Sequence, residues 1–242
     1  MCYSIEQVQA KIKNMINRGY ITQKDIDNMP NNYLLQGFTF PMVKAVTNEK
    51  PFHVSDLQWG LIPFWAKQEQ ANEIVKYNLN SVSETMDSKP SFKHLVGKKH
   101  CLIPVNGFFE WMHVGKVKYP HFITLKNQEP FMLAGLWDSW ADKETGEIKN
   151  TFTICTTQAN PLMAKIHNTK KRMPVIILEE NETAWLEATN KNDIKELTRP
   201  IDANLMDAHT VSRLITSRTQ NANVPEVTEK FVYPELESNK LF

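Results

Sequence analysis

Apolar residues fall at Ile5, Val8, Ile12 and Ile16, a helical spacing, and Ser4 with Gln7 supplies the pattern of a capping box, so residues 5–16 read as an amphipathic helix that Gly19 ends. Beyond residue 50 the pattern shifts to short runs rich in β-branched and aromatic residues. These lie at 99–105, 121–125, 131–136, 151–156 and 174–178, each bounded by Gly, Pro, Asn or Asp, and read as strands. Helical spacing returns at 160–166, with Pro161 in its first turn, and at 180–188, 191–198 and 210–218. Strands and helices do not alternate regularly, which disfavours a doubly wound parallel sheet. The expected fold is α+β, a mainly antiparallel, barrel-like sheet with peripheral helices, in one domain over residues 1–242 whose last stretch, from about 230, is a polar tail.

The chain has 242 residues, 41% of them hydrophobic and 23% charged, enough to bury a substantial core. No apolar run approaches the roughly 20 residues of a membrane span, and the start turns polar at once in Ser4-Ile5-Glu6-Gln7, unlike a secretory signal, so a cytoplasmic protein is expected. Its 3 cysteines, Cys2, Cys101 and Cys155, are widely spaced and odd in number, which argues against a disulfide framework. Without a CxxC or HExxH pair, a zinc site built from His100, Cys101, His113 and His121 is not expected, and neither a metal nor a cofactor is implied. The formal net charge of +1 carries no global nucleic-acid signature; a polyanion would meet a local patch such as Lys98-Lys99-His100 or Lys170-Lys171-Arg172.

Four segments carry candidate chemistry. Cys2, once Met1 is removed, presents a thiol and an α-amine on adjacent carbons. The amine, with an ordinary pKa of about 7.7–8.0, forms a Schiff base with an aldehyde, and the thiol can close a thiazolidine on the same carbon. Set just ahead of the expected helix start, Cys2 would have its thiolate favoured by the positive end of the dipole. Glu110 sits in the aromatic run Gly107-Phe108-Phe109-Glu110-Trp111, where burial would raise its pKa, although an exposed Glu on an alternating strand fits the same pattern. His167 closes the 160–166 helix and suits proton transfer near neutrality or, equally, dipole stabilisation. Asn80 can orient a carbonyl or amine, or simply occupy a turn.

Taken together and in order, Met1-Cys2, Asn80-Ser81-Val82-Ser83-Glu84-Thr85, the run from Cys101-Leu102-Ile103-Pro104 to Gly107-Phe108-Phe109-Glu110-Trp111, and Ile166-His167 followed by Arg172-Met173-Pro174 resemble the SOS response-associated peptidase (SRAP) family, from Cys2 to about Val211-Ser212. The resemblance implies a protein that senses abasic sites in single-stranded DNA and crosslinks itself to the ring-opened sugar through Cys2 as a thiazolidine. It also implies self-removal of Met1 and abasic-site lyase activity. On that resemblance Cys2 is the nucleophile, Asn80 positions the reacting centre, and Glu110 shuttles protons in Met1 removal and crosslink reversal. His167 helps open the sugar and eliminate the 3′ phosphate. Trp65, Trp111, Thr156, Lys170, Lys171 and Arg172 are the candidate DNA contacts, with a nucleoid association when on DNA.

The chain departs from the family in having Tyr3-Ser4 where Gly-Arg is usual and Val82 where an Arg is usual. It also has four residues, Asn168 to Lys171, between His167 and Arg172, where many relatives have one. The first two remove cations of the kind that fork onto phosphate; Lys170, Lys171 and Arg172 are expected to restore positive charge. A cysteine peptidase acting on other chains and a non-catalytic single-stranded DNA binder are the competing readings. Crosslinking to an abasic oligonucleotide separates them.

Overall fold

The computed structural model describes residues 2–12, 15, 18–19 and 21–238. In chain order its elements are β1 (Ser4–Gln7), α1 (Gln9–Ile12), α2 (Gln23–Asp27), β2 (Asn32–Gln36), β3 (Met42–Thr47), β4 (Lys50–Trp59), α3 (Gln68–Tyr77) and β5 (Asn80–Val82). There follow β6 (His100–Val105), β7 (Gly107–Val114), β8 (Val117–Leu125), β9 (Phe131–Ala141), β10 (Ile148–Gln158), α4 (Pro161–Ile166), β11 (Arg172–Pro174) and β12 (Ile176–Ile177). The chain continues through α5 (Glu182–Glu187), α6 (Lys191–Leu197), β13 (Met206–Thr210) and α7 (Pro234–Ser238).

Strand pairing closes a five-stranded barrel, since β10, β4, β3, β6 and β9 neighbour one another in that order and β9 pairs again with β10. Only the β4–β10 contact in this ring is parallel. A second, wholly antiparallel sheet runs β13-β8-β7-β1-β2. One apolar cluster joins the two, drawing Cys2, Ile5, Phe108 and Ile123 from the sheet and Val43, Trp59, Ile103, Leu133, Phe152 and Ile154 from the barrel. This is the expected antiparallel, barrel-like α+β architecture. The barrel strands β6 and β9 read as largely apolar runs, and β10, although rich in Thr, is buried from residue 151 to 157, because both faces of these strands are covered. Among the described residues no helix is long and apolar enough to cross a membrane.

The start of the chain differs from the expected helix. Residues 4–7 form β1, pairing with β2 through Ser4↔Gln36 and with β7 through Ile5↔Phe108, and a helix of one turn follows at Gln9–Ile12; Ile16 lies outside the described residues. The Gln7 side chain caps nothing. Its Nε2 donates to the carbonyls of Pro104 (2.9 Å) and Lys44 (3.0 Å), and its Oε1 accepts from Lys44 N (3.0 Å), which staples β1 to two barrel strands. A buried amide with its hydrogen bonds met in this way outweighs weak local helix propensity.

Residues 210–218 likewise form no α-helix: Met206–Thr210 adds to β8 as an edge strand and Arg213–Thr216 is a single 3₁₀ turn. The run 174–178 divides at Val175, whose N donates to Cys155 O (2.8 Å) while its O accepts from Ala134 N (2.9 Å), so it bridges β10 and β9 where they part. His100 belongs to no surface patch. It is fully buried, with Nδ1 2.7 Å from Trp185 O and Nε2 accepting from Gly97 N at 2.9 Å.

Gly135 of β9 sits where the neighbouring barrel strands leave no room for a side chain. A Cβ there would lie 2.7 Å from Cys101 Sγ, 2.7 Å from Ile103 and 2.9 Å from the Thr153 carbonyl, so a side chain would force paired backbones apart. Gly135→Ala is expected to destabilise the protein by about 1–3 kcal/mol, the usual cost of overpacking. Urea denaturation checks this, and an unchanged midpoint would show that the barrel wall yields.

Candidate active site

Alternation along β7 turns Phe108 and Glu110 towards the shared core and Phe109 and Trp111 towards the other face. Glu110 thus enters an apolar environment with 4% of its surface exposed. Loss of water disfavours the carboxylate and raises its pKa from 4.5 to about 7, where a carboxyl both gives and takes protons.

His167 is delivered by α4. Asn160 caps that helix, its side chain accepting from Met163 N at 3.0 Å, Pro161 occupies the first turn, and His167 is the C-cap, its N donating to Met163 O at 2.7 Å. Its Nδ1 lies 2.8 Å from the Arg172 carbonyl. Because a carbonyl only accepts, Nδ1 carries the proton and Nε2 keeps its lone pair. The same Nδ1 is 3.7 Å from Glu110 Oε1. Burial holds the imidazole below its ordinary 6.5, in its neutral form.

Asn168 sets the spacing of this pair. Its Oδ1 accepts from His113 N (3.1 Å) and its Nδ2 donates to His113 O (2.8 Å), clamping the turn after α4 onto β7. The sequence offered no sign of this beyond an Asn beside the candidate histidine, since the partner is 55 residues away.

Cys2 is fully buried in the shared cluster, its Sγ 3.9 Å from Ser4 O. With a strand rather than a helix behind it, no dipole favours the thiolate. Burial first, and the Glu110 charge second, push the thiol well above its ordinary range. The sulfur therefore enters chemistry as S–H, with a proton acceptor close enough to influence its titration.

Asn80 opens β5 opposite Ile154 of β10, and both Ile154 and Leu79, the residue before Asn80, belong to the cluster that holds Cys2. Its two carboxamide atoms are buried and have no hydrogen-bond partner among the described residues. Such a group is costly to leave unmet.

The candidate DNA contacts separate. Lys170 and Lys171 are exposed on the turn after His167, and Lys171 has a left-handed φ of 49°, its N donating to His167 O at 2.8 Å. Arg172 forks onto Glu84 at 2.7 and 2.8 Å and donates to Thr156 O at 2.6 Å, so its charge is already engaged by protein. Thr156 is fully buried, its hydroxyl donating to Ser81 O at 3.0 Å, and offers a strand no surface because it lies mid-sheet between β5 and β11. Trp111 packs with Phe109 and Phe122 on the face of β7 away from Glu110. Trp65 is 43% exposed on a turn anchored to β9, where Phe64 N donates to Asp138 (2.8 Å) and Trp140 Nε1 to Ala66 O (2.8 Å). Among the described residues no group of three or more His, Cys, Asp or Glu is arranged to hold a metal.

The barrel and side sheet together bury a thiol, a carboxyl with a raised pKa and a neutral imidazole. Residues 1–218 match the family described as SOS response associated peptidase (SRAP), and the chain belongs to that family. It is 41% identical over 177 residues to the abasic site processing protein YoqW of Bacillus subtilis (strain 168), covering 72% of this chain and 75% of that one. It is 30% identical over 184 residues to the abasic site processing protein HMCES of Gallus gallus, covering 67% of this chain and 53% of that one. A crystal structure of a Bacteroides thetaiotaomicron protein superposes with a TM-score of 0.87 at 35% identity, covering 96% of this chain and all of that one.

The raised carboxyl makes stability depend on pH with a definite sign. A folded-state pKa above 4.5 means that the native state binds more protons than the unfolded chain, so stability falls as pH rises from about 4.5 through about 7. Glu110→Gln lacks this titration. Its stability relative to wild type should therefore grow across that window and level off above it, as read by denaturant midpoints at a series of pH values. His167, held below 6.5, acts in the opposite direction at lower pH and is common to both proteins.

Proposed function

We propose that this protein processes abasic sites in single-stranded DNA by linking the exposed sugar aldehyde to Cys2. The observation that carries the reading is that Cys2, a 1,2-aminothiol once Met1 is removed, lies within the electrostatic reach of a carboxyl that burial pushes up to about 7, itself 3.7 Å from a neutral imidazole. The abasic site processing names of the relatives YoqW and HMCES support the substrate.

In this reading, hydrolytic loss of Met1 frees the Cys2 amine, with Glu110 relaying the proton between water and the departing amine. The ring-opened sugar presents its aldehyde; the amine nitrogen bonds to the aldehyde carbon, and the carbonyl oxygen leaves as water. The thiol then adds across the resulting C=N bond, sulfur to carbon and proton to nitrogen, which closes the five-membered thiazolidine. A buried thiol cannot ionise unaided, so Glu110 accepts the sulfur proton and returns it to nitrogen. The Asn80 carboxamide meets the polar atoms of the opened sugar. His167, through its Nε2 lone pair, takes the proton whose removal expels the 3′ phosphate in strand nicking.

Protein with a free Cys2 amine should form a heat-stable adduct with a single-stranded oligonucleotide carrying one abasic site and none with the intact oligonucleotide. Protein whose Cys2 amine is blocked by a preceding residue serves as control. Cys2→Ser keeps the amine and loses the sulfur, so a Schiff base forms without closing to a stable ring. An undiminished heat-stable adduct from Cys2→Ser would sink the mechanism.

Lys170 and Lys171 are exposed on the turn after His167, which supports assigning them to the passing phosphate. Each phosphate contact on a single strand contributes a slope of about −0.7 in log affinity against log salt. Replacing both by Ala should flatten the measured slope by up to about 1.4 and weaken all sequences alike. Coincident slopes for the double variant and wild type would reduce the turn to a solvated loop.

A further inference from the structure

Next to the nucleophile the surface carries an aromatic pair that the reaction leaves unused. Phe38 exposes 62% of its surface, and its ring centroid lies 4.7 Å from that of Tyr3 with the planes 36° apart. The pair is held by backbone geometry. Ser4 of β1 pairs with Gln36 of β2, and in the 3₁₀ turn Gly37–Thr39 that follows, Gly37 N donates to Tyr3 O at 2.8 Å. Phe40 N closes the turn on Gly37 O at 3.0 Å, and Thr39 Oγ1 donates to Gln36 O at 2.8 Å. Gly37 lies so near the buried Trp59 ring that a Cβ would approach it to 3.2 Å, so the turn cannot sink inward. Phe38 is thereby kept pointing outward with its ring in water.

Tyr3 ties this pair to the reaction centre. Continuing the Ile5↔Phe108 register by two residues sets Tyr3 opposite Glu110, and residues opposite each other on antiparallel strands share a face. The Tyr3 phenol is held above its ordinary range by burial, then by the charges of Glu110 and Cys2, which agrees with that placement.

We propose that Tyr3 and Phe38 form a shelf on which the nucleobase next to the abasic sugar stacks. The inference rests on the abasic-DNA reading. An abasic sugar has no ring of its own to hold, so the strand must be located by its neighbours. Stacking on an aromatic face accepts every base, as a lesion found in any sequence requires.

The test uses an oligonucleotide in which tetrahydrofuran replaces the abasic sugar; having no aldehyde, it reports binding apart from crosslinking. Phe38→Ala is expected to weaken binding by roughly 5- to 150-fold, the range of one base–aromatic stack. Phe38→Leu, apolar without a π-face, should bind as poorly as the Ala variant, and Phe38→Trp should bind like wild type. Removing the neighbouring base, on the 5′ side in one oligonucleotide and the 3′ side in another, completes a double-mutant cycle. On the stacking side, base removal should weaken wild type and have little further effect on Phe38→Ala. Additive losses on both sides, or a Leu variant equal to wild type, would overturn the shelf. Failure of the abasic-site reading shows differently: no heat-stable adduct with a true abasic oligonucleotide, whatever the cycle gives.

Discussion

Exclusion of water from one apolar cluster governs the behaviour of the site. Cys2, Glu110 and His167 are all buried there, and each is displaced towards its uncharged form: the thiol and carboxyl upward, the imidazole downward. An ordinary surface carboxylate at neutral pH could accept a proton only weakly, and an ordinary surface thiol would partly ionise and oxidise. Burial instead leaves a carboxyl pushed up to about 7, able to give or take a proton near neutrality, beside a thiol that keeps its proton and an imidazole that stays neutral.

That arrangement depends on strand pairing more than on any local motif. β1 lies between β2 and β7, which holds Cys2, two residues before the strand, inside the shared core and within the electrostatic reach of Glu110. Gln7 fastens the strand to β3 and β6, and Asn168 fastens the His167 turn to β7. Both clamps are side-chain amides meeting backbone groups, directional contacts that fix a spacing where apolar packing alone would permit sliding.

The outer surface has been fitted differently from the buried chemistry. Arg172 is engaged by Glu84 and Thr156, so the open positive charge beside His167 rests with Lys170 and Lys171. Near Cys2 the surface offers aromatic rings in place of a cation. On the proposed reading, a strand would be held by stacking and by screened charge together.

Much was legible in the chain itself. Short apolar runs bounded by turn residues gave β6, β8 and parts of β9 and β10, because a strand covered on both faces must be apolar throughout. Asn160-Pro161 announced α4, since capping is local chemistry. The reactive side chains Cys2, Glu110 and His167 were nameable from their types and company. What the tertiary structure alone decided is whatever depends on partners distant in sequence. Residues 4–7 have a helical pattern and become a strand because β2 and β7 present open ladders on either side. Met206–Thr210 is drawn to the edge of β8 for the same reason. Thr156 and Trp111, read as surface contacts, are buried mid-sheet between β5 and β11 and turned to the far face of β7, respectively. Side-chain type is written residue by residue, but hydrogen-bond partners, burial and therefore pKa belong to the neighbours that folding brings.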